Sequence, residues 1–273
     1  MARDGFRIFD SDTHVGPYMD LLEPYLAAQE KARLAAWEPY KSKSRGHPVY
    51  TRGQRKYLRK LGDAAAQPDG GGYMAGFTGA KRSREPSLRV DHDPAERIRD
   101  MDFEGVDVNL TLPSGWFGTW TAGDDVALES AMYRAYHRWM QDYCGAYPER
   151  IGGVILVGSR DVDAGLKEMQ QWGKSRWAWG VLVYAPQGVP LDHPGLEAVW
   201  AAAESLDLAV ALHTFTVMPP YAPGGLDTWE NLWLQRSAAH PWCGMRNMAA
   251  LIGSGVMDRY PRLRLATLEA GHG

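Results

Sequence analysis

Residues Gly153–His213 read GVILVGSRDVDAGLKEMQQWGKSRWAWGVLVYAPQGVPLDHPGLEAVWAAAESLDLAVALH and carry three apolar runs separated by two helical patterns. Gly153–Val157 (GVILV), Trp179–Tyr184 (WGVLVY) and Leu208–His213 (LAVALH) are rich in Val and Leu and nearly continuous, as strands buried on both faces are. Between them, Ala164–Trp172 and Gly195–Ser205 place apolar residues at helical spacing. This rhythm predicts βαβ units and a parallel sheet, because a parallel return needs a crossover long enough to form a helix.

The pattern extends both ways. Phe6–Asp10 (FRIFD), Val106–Leu112 (VDVNLTL) and Leu263–Leu268 (LRLATL) add three strands. Helices are predicted over Pro94–Glu104, with Asp93 as N-cap and proline at the first helical position, and over Asp125–Ala146 and Asn247–Gly255. About six βα units imply a parallel barrel or a doubly wound sheet in a single domain, residues 1–273. No GxGxxG follows a strand, which argues against dinucleotide binding.

Two stretches interrupt the repeat. Lys41–Arg89 is a long insertion after the first strand, with loop-like Asp69–Gly72 and Gly76–Gly79; part of it is expected to cover the barrel mouth or contact a partner. Thr214–Ser237, with Pro219, Pro220, Pro223, Gly224 and Gly225, reads as a loop directly after the fifth strand, where a barrel places active-site loops.

Composition removes several function classes. The 273 residues hold 30 Lys and Arg against 33 Asp and Glu, a net charge of −3, with no electrostatic footprint for nucleic acid. The basic runs Lys41–Arg45 and Arg52–Lys60 read as solvated faces. No apolar run approaches the ~18 residues of a membrane span, and charges interrupt Met1–Asp12, so no signal peptide is expected. Two cysteines, Cys144 and Cys243, make no disulfide framework, and a cytoplasmic setting is the default. Cys144 and His137 belong to an amphipathic helix; Cys144 reads as helix packing and His137 as a packing or surface residue.

Chemistry-bearing residues collect at strand ends. FRIFD runs into Ser11-Asp12-Thr13-His14, and alternation in extended chain aims Asp12 and His14 the same way, so that they can chelate one divalent cation. An Asp capping a turn beside a surface histidine is the plain alternative. His213 ends the strand LAVALH, either as a satisfied core histidine or as a ligand on the catalytic face. Glu269 and His272 follow the sixth strand and are candidates for moving a proton, Glu269 also for binding metal. His240 and Arg246 are candidates for a substrate carboxylate, against capping and packing. Trp116 and Trp120 follow the second strand, and Trp116 is a candidate for an aromatic wall around a small-molecule substrate.

Taken in order, FDSDTHV (Phe9–Val15), HDPAERIRDMDFEGVDVNLTLPS (His92–Ser114), YPERIGGVILV (Tyr147–Val157), WAAAESLDLAVALH (Trp200–His213) and YPRLRLATLEAGHG (Tyr260–Gly273) resemble the amidohydrolase superfamily. The nearest resemblance is to the amidohydrolase-related branch that includes aminocarboxymuconate-semialdehyde decarboxylase and aromatic-acid decarboxylases. The resemblance implies a (β/α)8 TIM-type barrel holding one divalent metal, zinc first, with manganese or iron as alternatives. It places Asp12 and His14 at the first-strand ligand pair and His213 at the fifth-strand ligand. It implies hydrolysis or non-oxidative decarboxylation of a small carboxylated or cyclic substrate.

Two departures qualify it. The sixth strand is expected to end in His followed by glycines, and Glu269 stands there, with His272 three residues on. Two further βα units and a late Asp are also expected, whereas the sequence stops at Gly273. A second chain completing the barrel, with oligomerisation, is therefore the expectation, and a truncated chain is the alternative. A degenerate, non-catalytic barrel that stabilises a catalytic partner is the competing function.

Overall fold

The computed structural model describes residues 5–44, 46–50, 92–113, 115–121, 123–185, 189–213 and 232–270, and of 115–116 and 232–240 it describes the backbone only. Strand β1 (Phe9–Val15) is followed by short helices α1 (Met19–Leu22) and α2 (Ala28–Arg33) and by the hairpin β2 (Lys41–Ser44) and β3 (His47–Tyr50). Then come α3 (Pro94–Glu104), β4 (Val108–Pro113), α4 (Val126–Gly145), β5 (Ile151–Gly158), α5 (Val162–Trp172), β6 (Ala178–Tyr184), α6 (Glu197–Ser205) and β7 (Ala209–Leu212). The long α7 (Leu232–Gly253), the short α8 (Val256–Arg259) and β8 (Arg264–Thr267) complete the order.

Among the described residues six strands form one sheet in the order β1-β4-β5-β6-β7-β8, and every pairing is parallel. The sheet curls as an incomplete α/β barrel with β1 and β8 at its edges. Among the described residues no helix is long and apolar enough to cross a membrane.

Packing follows from the apolar runs. All of β4 and β5 is buried, as is β6 except Trp179. Helix α4 lays Leu128, Met132, Tyr136, Met140 and Tyr143 on the core. Asp93 caps α3 by accepting from the Ala95 amide at 2.8 Å, and Gly105 ends it at φ 80°, a left-handed turn that favours glycine. Asp125 caps α4 in the same manner, accepting from Leu128 N–H at 3.0 Å. At Gly152 a Cβ would stand 2.1 Å from the Trp179 ring, so β5 needs glycine there for the indole to lie on its backbone.

Three expectations are corrected. The first strand is Phe9–Val15 rather than Phe6–Asp10, because ladder bonds, not hydrophobicity, define an edge strand: polar Thr13 and His14 pair with Thr111 and Leu112, while Phe6 and Phe9 stay exposed. Helix α7 starts at Leu232, inside the segment read as a loop, and carries Pro241 within it; proline there removes one amide donor and bends a helix more readily than it ends one. His240 and Arg246 thus lie in this helix and not before it. Of the insertion, the described part is the β2–β3 hairpin; the expectation for residues 51–89 falls outside the described residues.

His137 is a core residue, fully buried on α4. Its Nδ1 lies 2.7 Å from Glu168 on α5, and its Nε2 accepts the Leu156 amide of β5 at 2.8 Å. The ring therefore joins two helices to a central strand. Burial holds the imidazole below its ordinary pKa although Glu168 pulls the other way. Glu168 is itself lowered: burial is the largest single influence and opposes the shift, and the hydrogen bond and charge of His137 together with the Trp172 indole and Arg138 outweigh it.

Both shifts make the fold acid-sensitive. The unfolded chain takes up the His137 proton first, so stability falls as pH drops below about 6.5, and the Glu168 contribution is lost as pH falls further through its lowered value. Urea unfolding of the wild type should lose stability between pH 7 and 5.5, with this histidine contributing at most about 1.4 kcal/mol per pH unit. In His137→Gln, which keeps a donor and an acceptor but no titration, the slope should be shallower; an unchanged slope refutes the assignment.

Candidate metal centre

All six strands point their C-terminal ends to one side, and three of them end in groups that can bind a cation. Asp12 and His14 lie inside β1. The ladder slips between Asp10 and Thr13, where two residues of β1, Ser11 and Asp12, face one of β4, Leu110. A bulge of this kind re-aims side chains and is common beside functional sites. Here it falls at Ser11–Asp12, and the Asp10 carboxylate steadies it by accepting the Asp12 amide at 3.0 Å.

His213 immediately follows β7, four strands along the sheet from β1. The curl nevertheless brings the His14 and His213 rings to a centroid separation of 5.0 Å, edge to face at 83°. Asp12 Oδ1 lies 3.5 Å from His213 Nε2 and 3.8 Å from His14 Nε2. These separations exceed a good hydrogen bond. They suit ligands around one ion, since bonds of about 2.1 Å set neighbouring donors about 3.0–3.5 Å apart. One ligand atom from each of Asp12, His14 and His213 lies within 4.8 Å of the other two. A carboxylate with two imidazoles is a donor set for zinc, manganese or iron.

The surroundings prepare these donors. His14 Nδ1 lies 3.1 Å from the Pro113 carbonyl, a contact that makes Nδ1 the protonated nitrogen and leaves the Nε2 lone pair facing the cluster. Arg97 donates to the His14 carbonyl at 2.5 Å and to Tyr143 Oη at 2.7 Å, tying the end of β1 to α3 and α4. The His213 imidazole beside Asp12 holds its carboxyl below the usual range, against burial, with help from His14 and from the Glu269 backbone amide. Asp12 therefore stays anionic.

Glu269 joins from past the end of β8, its Oε2 3.4 Å from His213 Nε2. Its φ of 48° is left-handed, uncommon for a residue with a side chain and frequent at functional sites. The His213 side chain is 10% exposed, while those of His14 and Glu269 are 40% and 39% exposed, so the cluster is anchored on β7 and opens to solvent between β1 and β8.

Of the residues singled out by sequence, the structure brings Asp12, His14, His213 and Glu269 together. Arg246 is exposed beside Met245 on the outer side of α7 and is not brought to the cluster. His272 and the side chains of Trp116 and His240 lie outside the described residues. Trp120 is core, 1% exposed. Sequence reasoning missed Arg97, whose signal was only its place on the Asp93-capped helix, and the Pro113 carbonyl, which no side-chain pattern reveals.

An incomplete parallel α/β barrel with a carboxylate and two histidines at its C-terminal end is the architecture of a barrel-type metal-site protein. The chain belongs to the amidohydrolase family, whose model matches residues 44–273, a span that includes His213 and Glu269 and begins after Asp12 and His14. No curated protein matches it in sequence. Among solved structures, the 5-carboxyvanillate decarboxylase of Novosphingobium aromaticivorans, with bound manganese and 3-methoxy-4-hydroxy-5-nitrobenzoic acid, is 17% identical with a TM-score of 0.61, over 97% of this chain and 66% of that one. An amidohydrolase from Mycobacterium avium subsp. paratuberculosis is 19% identical with a TM-score of 0.65, over 98% and 74%. The 5-carboxyvanillate decarboxylase of Sphingomonas paucimobilis is 19% identical with a TM-score of 0.58, over 96% and 67%. The chain thus spans roughly two thirds to three quarters of the length of these structures.

His213→Ala removes the most buried donor of the cluster and, next to solvent-facing groups, should leave the far-ultraviolet circular dichroism unchanged. The expected result is loss of bound divalent metal by elemental analysis; wild-type metal content in this variant refutes the ligand assignment.

Proposed function

We propose that this chain carries the metal site of an amidohydrolase-family enzyme that decarboxylates a small carboxylated, ring-containing substrate. The observation that carries the reading is the convergence of Asp12, His14 and His213 at the C-terminal ends of β1 and β7. Two of the similar solved structures are decarboxylases of an aromatic acid, which supports the choice of reaction and substrate class. The proposed metal is zinc, for the two-imidazole, one-carboxylate donor set; the manganese held by the Novosphingobium enzyme supports manganese as the alternative.

A divalent ion held by these residues supplies fixed positive charge that binds a carboxylate and offsets negative charge developing as a bond breaks. The chain's own groups do the rest. Asp12, kept anionic, and the Nε2 lone pairs of His14 and His213 hold the cation. The Pro113 carbonyl and Arg97 fix the His14 end of β1, so these donors need little reorganisation when substrate arrives. In the decarboxylation, the bond between the carboxyl carbon and the rest of the substrate breaks, its electron pair stays on the substrate, and CO2 leaves. A proton must then reach that substrate carbon, and Glu269, open to solvent beside His213, delivers it. His272, three residues on, is the second candidate for that transfer. Hydrolysis is the second reading, favoured by the family's description as amidohydrolases.

The test is CO2 release from a panel of hydroxylated aromatic carboxylates by the chain, with whatever partner co-purifies, after loading with zinc or manganese. Turnover should vanish on chelation and return with metal. Glu269→Gln should lower kcat about 10²- to 10⁴-fold while metal content stays at the wild-type level. Hydrolysis of amides or lactones without CO2 release selects the second reading, and a metal-loaded chain inactive in both assays refutes the enzymatic proposal.

A further inference from the structure

The glycines show which side chains face the inside of the curl. A Cβ at Gly153 would meet the Met140 methyl group of α4, whereas a Cβ at Gly152 would meet the Trp179 ring. Side chains alternate along a strand, so odd residues of β5 face the helices and even ones the interior. Val154 pairs with Gly180 of β6, and a Cβ at Gly180 would stand 3.4 Å from Val154 Cγ1, which puts both on the inner face. Alternation carries that face on to Leu182 and Tyr184. On β7, Ala209 pairs with Gly180 and Ala211 with Leu182. Continuing this register by two residues sets His213 opposite Tyr184. The two therefore stand side by side on the inner face, at the C-terminal ends of neighbouring strands, where a parallel barrel collects the groups that meet substrate.

Tyr184 is 5% exposed, and its hydroxyl is a group that the fold does not use. The ring stacks on Tyr133 of α4, with centroids 5.5 Å apart and planes at 23°. The turn after β4 lies on its edge, where a Cβ at Gly118 would be 3.7 Å from Tyr184 Cε1. Tyr133 is fully engaged: it donates to Glu129 Oε1 at 2.9 Å and accepts from Thr121 Oγ1 at 2.8 Å, and Glu129 is paired with Arg160 at 2.5 Å. That network holds the ring on which Tyr184 rests. Among the described residues, by contrast, no hydrogen bond reaches the Tyr184 hydroxyl. Burial alone pushes its pKa well up, so the phenol keeps its proton and remains a donor. A buried hydroxyl left unpaired costs folding free energy, and such a group calls for an explanation.

We infer that Tyr184 is a substrate-binding residue whose O–H donates a hydrogen bond to the substrate carboxylate beside His213. The inference rests on the carboxylate-binding reading proposed above and adds a specificity-determining group to it. A carboxylate has more acceptor positions than one cation occupies, so a neutral donor next to a metal ligand has an oxygen to bind. A hydrogen bond to a charged acceptor is among the stronger ones, and it favours the acid over neutral relatives of the same shape.

The test is calorimetric binding of 4-hydroxybenzoate to the zinc-loaded chain as wild type, Tyr184→Phe and Tyr136→Phe. Tyr184→Phe keeps the stacked ring and removes only the hydroxyl. Its Kd should rise about 10- to 100-fold, as loss of one hydrogen bond to a charged acceptor implies, with metal content and circular dichroism as in the wild type. Tyr136→Phe removes a hydroxyl that is also buried and without a hydrogen bond among the described residues, but in the middle of α4. Its Kd should stay within about twofold of the wild type, which separates a contact with the ligand from the general effect of deleting a buried hydroxyl. Equal binding by wild type and Tyr184→Phe, the same weakening in both variants, loss of metal from Tyr184→Phe, or a wild type that does not bind 4-hydroxybenzoate each overturns the inference. Binding is read without turnover, so a failure to release CO2 counts against decarboxylation and not against Tyr184.

Discussion

Parallel hydrogen bonding from β4 through β7 is the constraint on which the rest depends. These strands are buried on nearly all their length, so each amide must find its partner in a neighbouring strand rather than in water. Parallel pairing forces helices onto the outside as crossovers and sends every strand out at the same end. That single consequence explains why residues as distant in sequence as Asp12, His213 and Glu269 meet. The helices reinforce it: α4 and α5 are fastened to β5 through His137, Glu168 and the Leu156 amide, which leaves the central strand little freedom to shift register.

How much of this was legible in the sequence varied with burial. The strands β5, β6 and β7 announced themselves, because they are enclosed on both faces and carry no charged or amide side chain to confuse the pattern. The helix Pro94–Glu104 was legible to the residue, since Asp93 and Pro94 mark its start by chemistry. The first strand was misplaced by three residues at its start and five at its end. An edge strand half open to water can be built from Asp, Ser, Thr and His, and only its ladder with β4 defines it. The start of α7 was hidden for a different reason: the Pro- and Gly-rich stretch before it and Pro241 within it both read as breaks.

The site was legible as a set of residue types at strand ends. Its geometry was not, since nothing local in the sequence states how far a sheet curls. The bulge at Ser11–Asp12 could not be read either, because a bulge is a mismatch between two strands and neither strand encodes it alone. The left-handed turn at Glu269 is likewise a property of the whole arrangement, held by the Leu268 amide on the Leu212 carbonyl at 2.9 Å and by the Glu269 amide at Asp12.

The position of the two imidazoles has a consequence for how this protein is held together. His14 and His213 are roughly 200 residues apart in the chain and sit on strands that share no hydrogen bonds. An ion bridging them would act as a reversible cross-link that fastens one margin of the sheet to the far side of its own curl. Its grip would strengthen the folded form in proportion to the logarithm of free metal concentration. Such an ion would add its hold to a curl that the parallel ladder from β1 to β8 already makes.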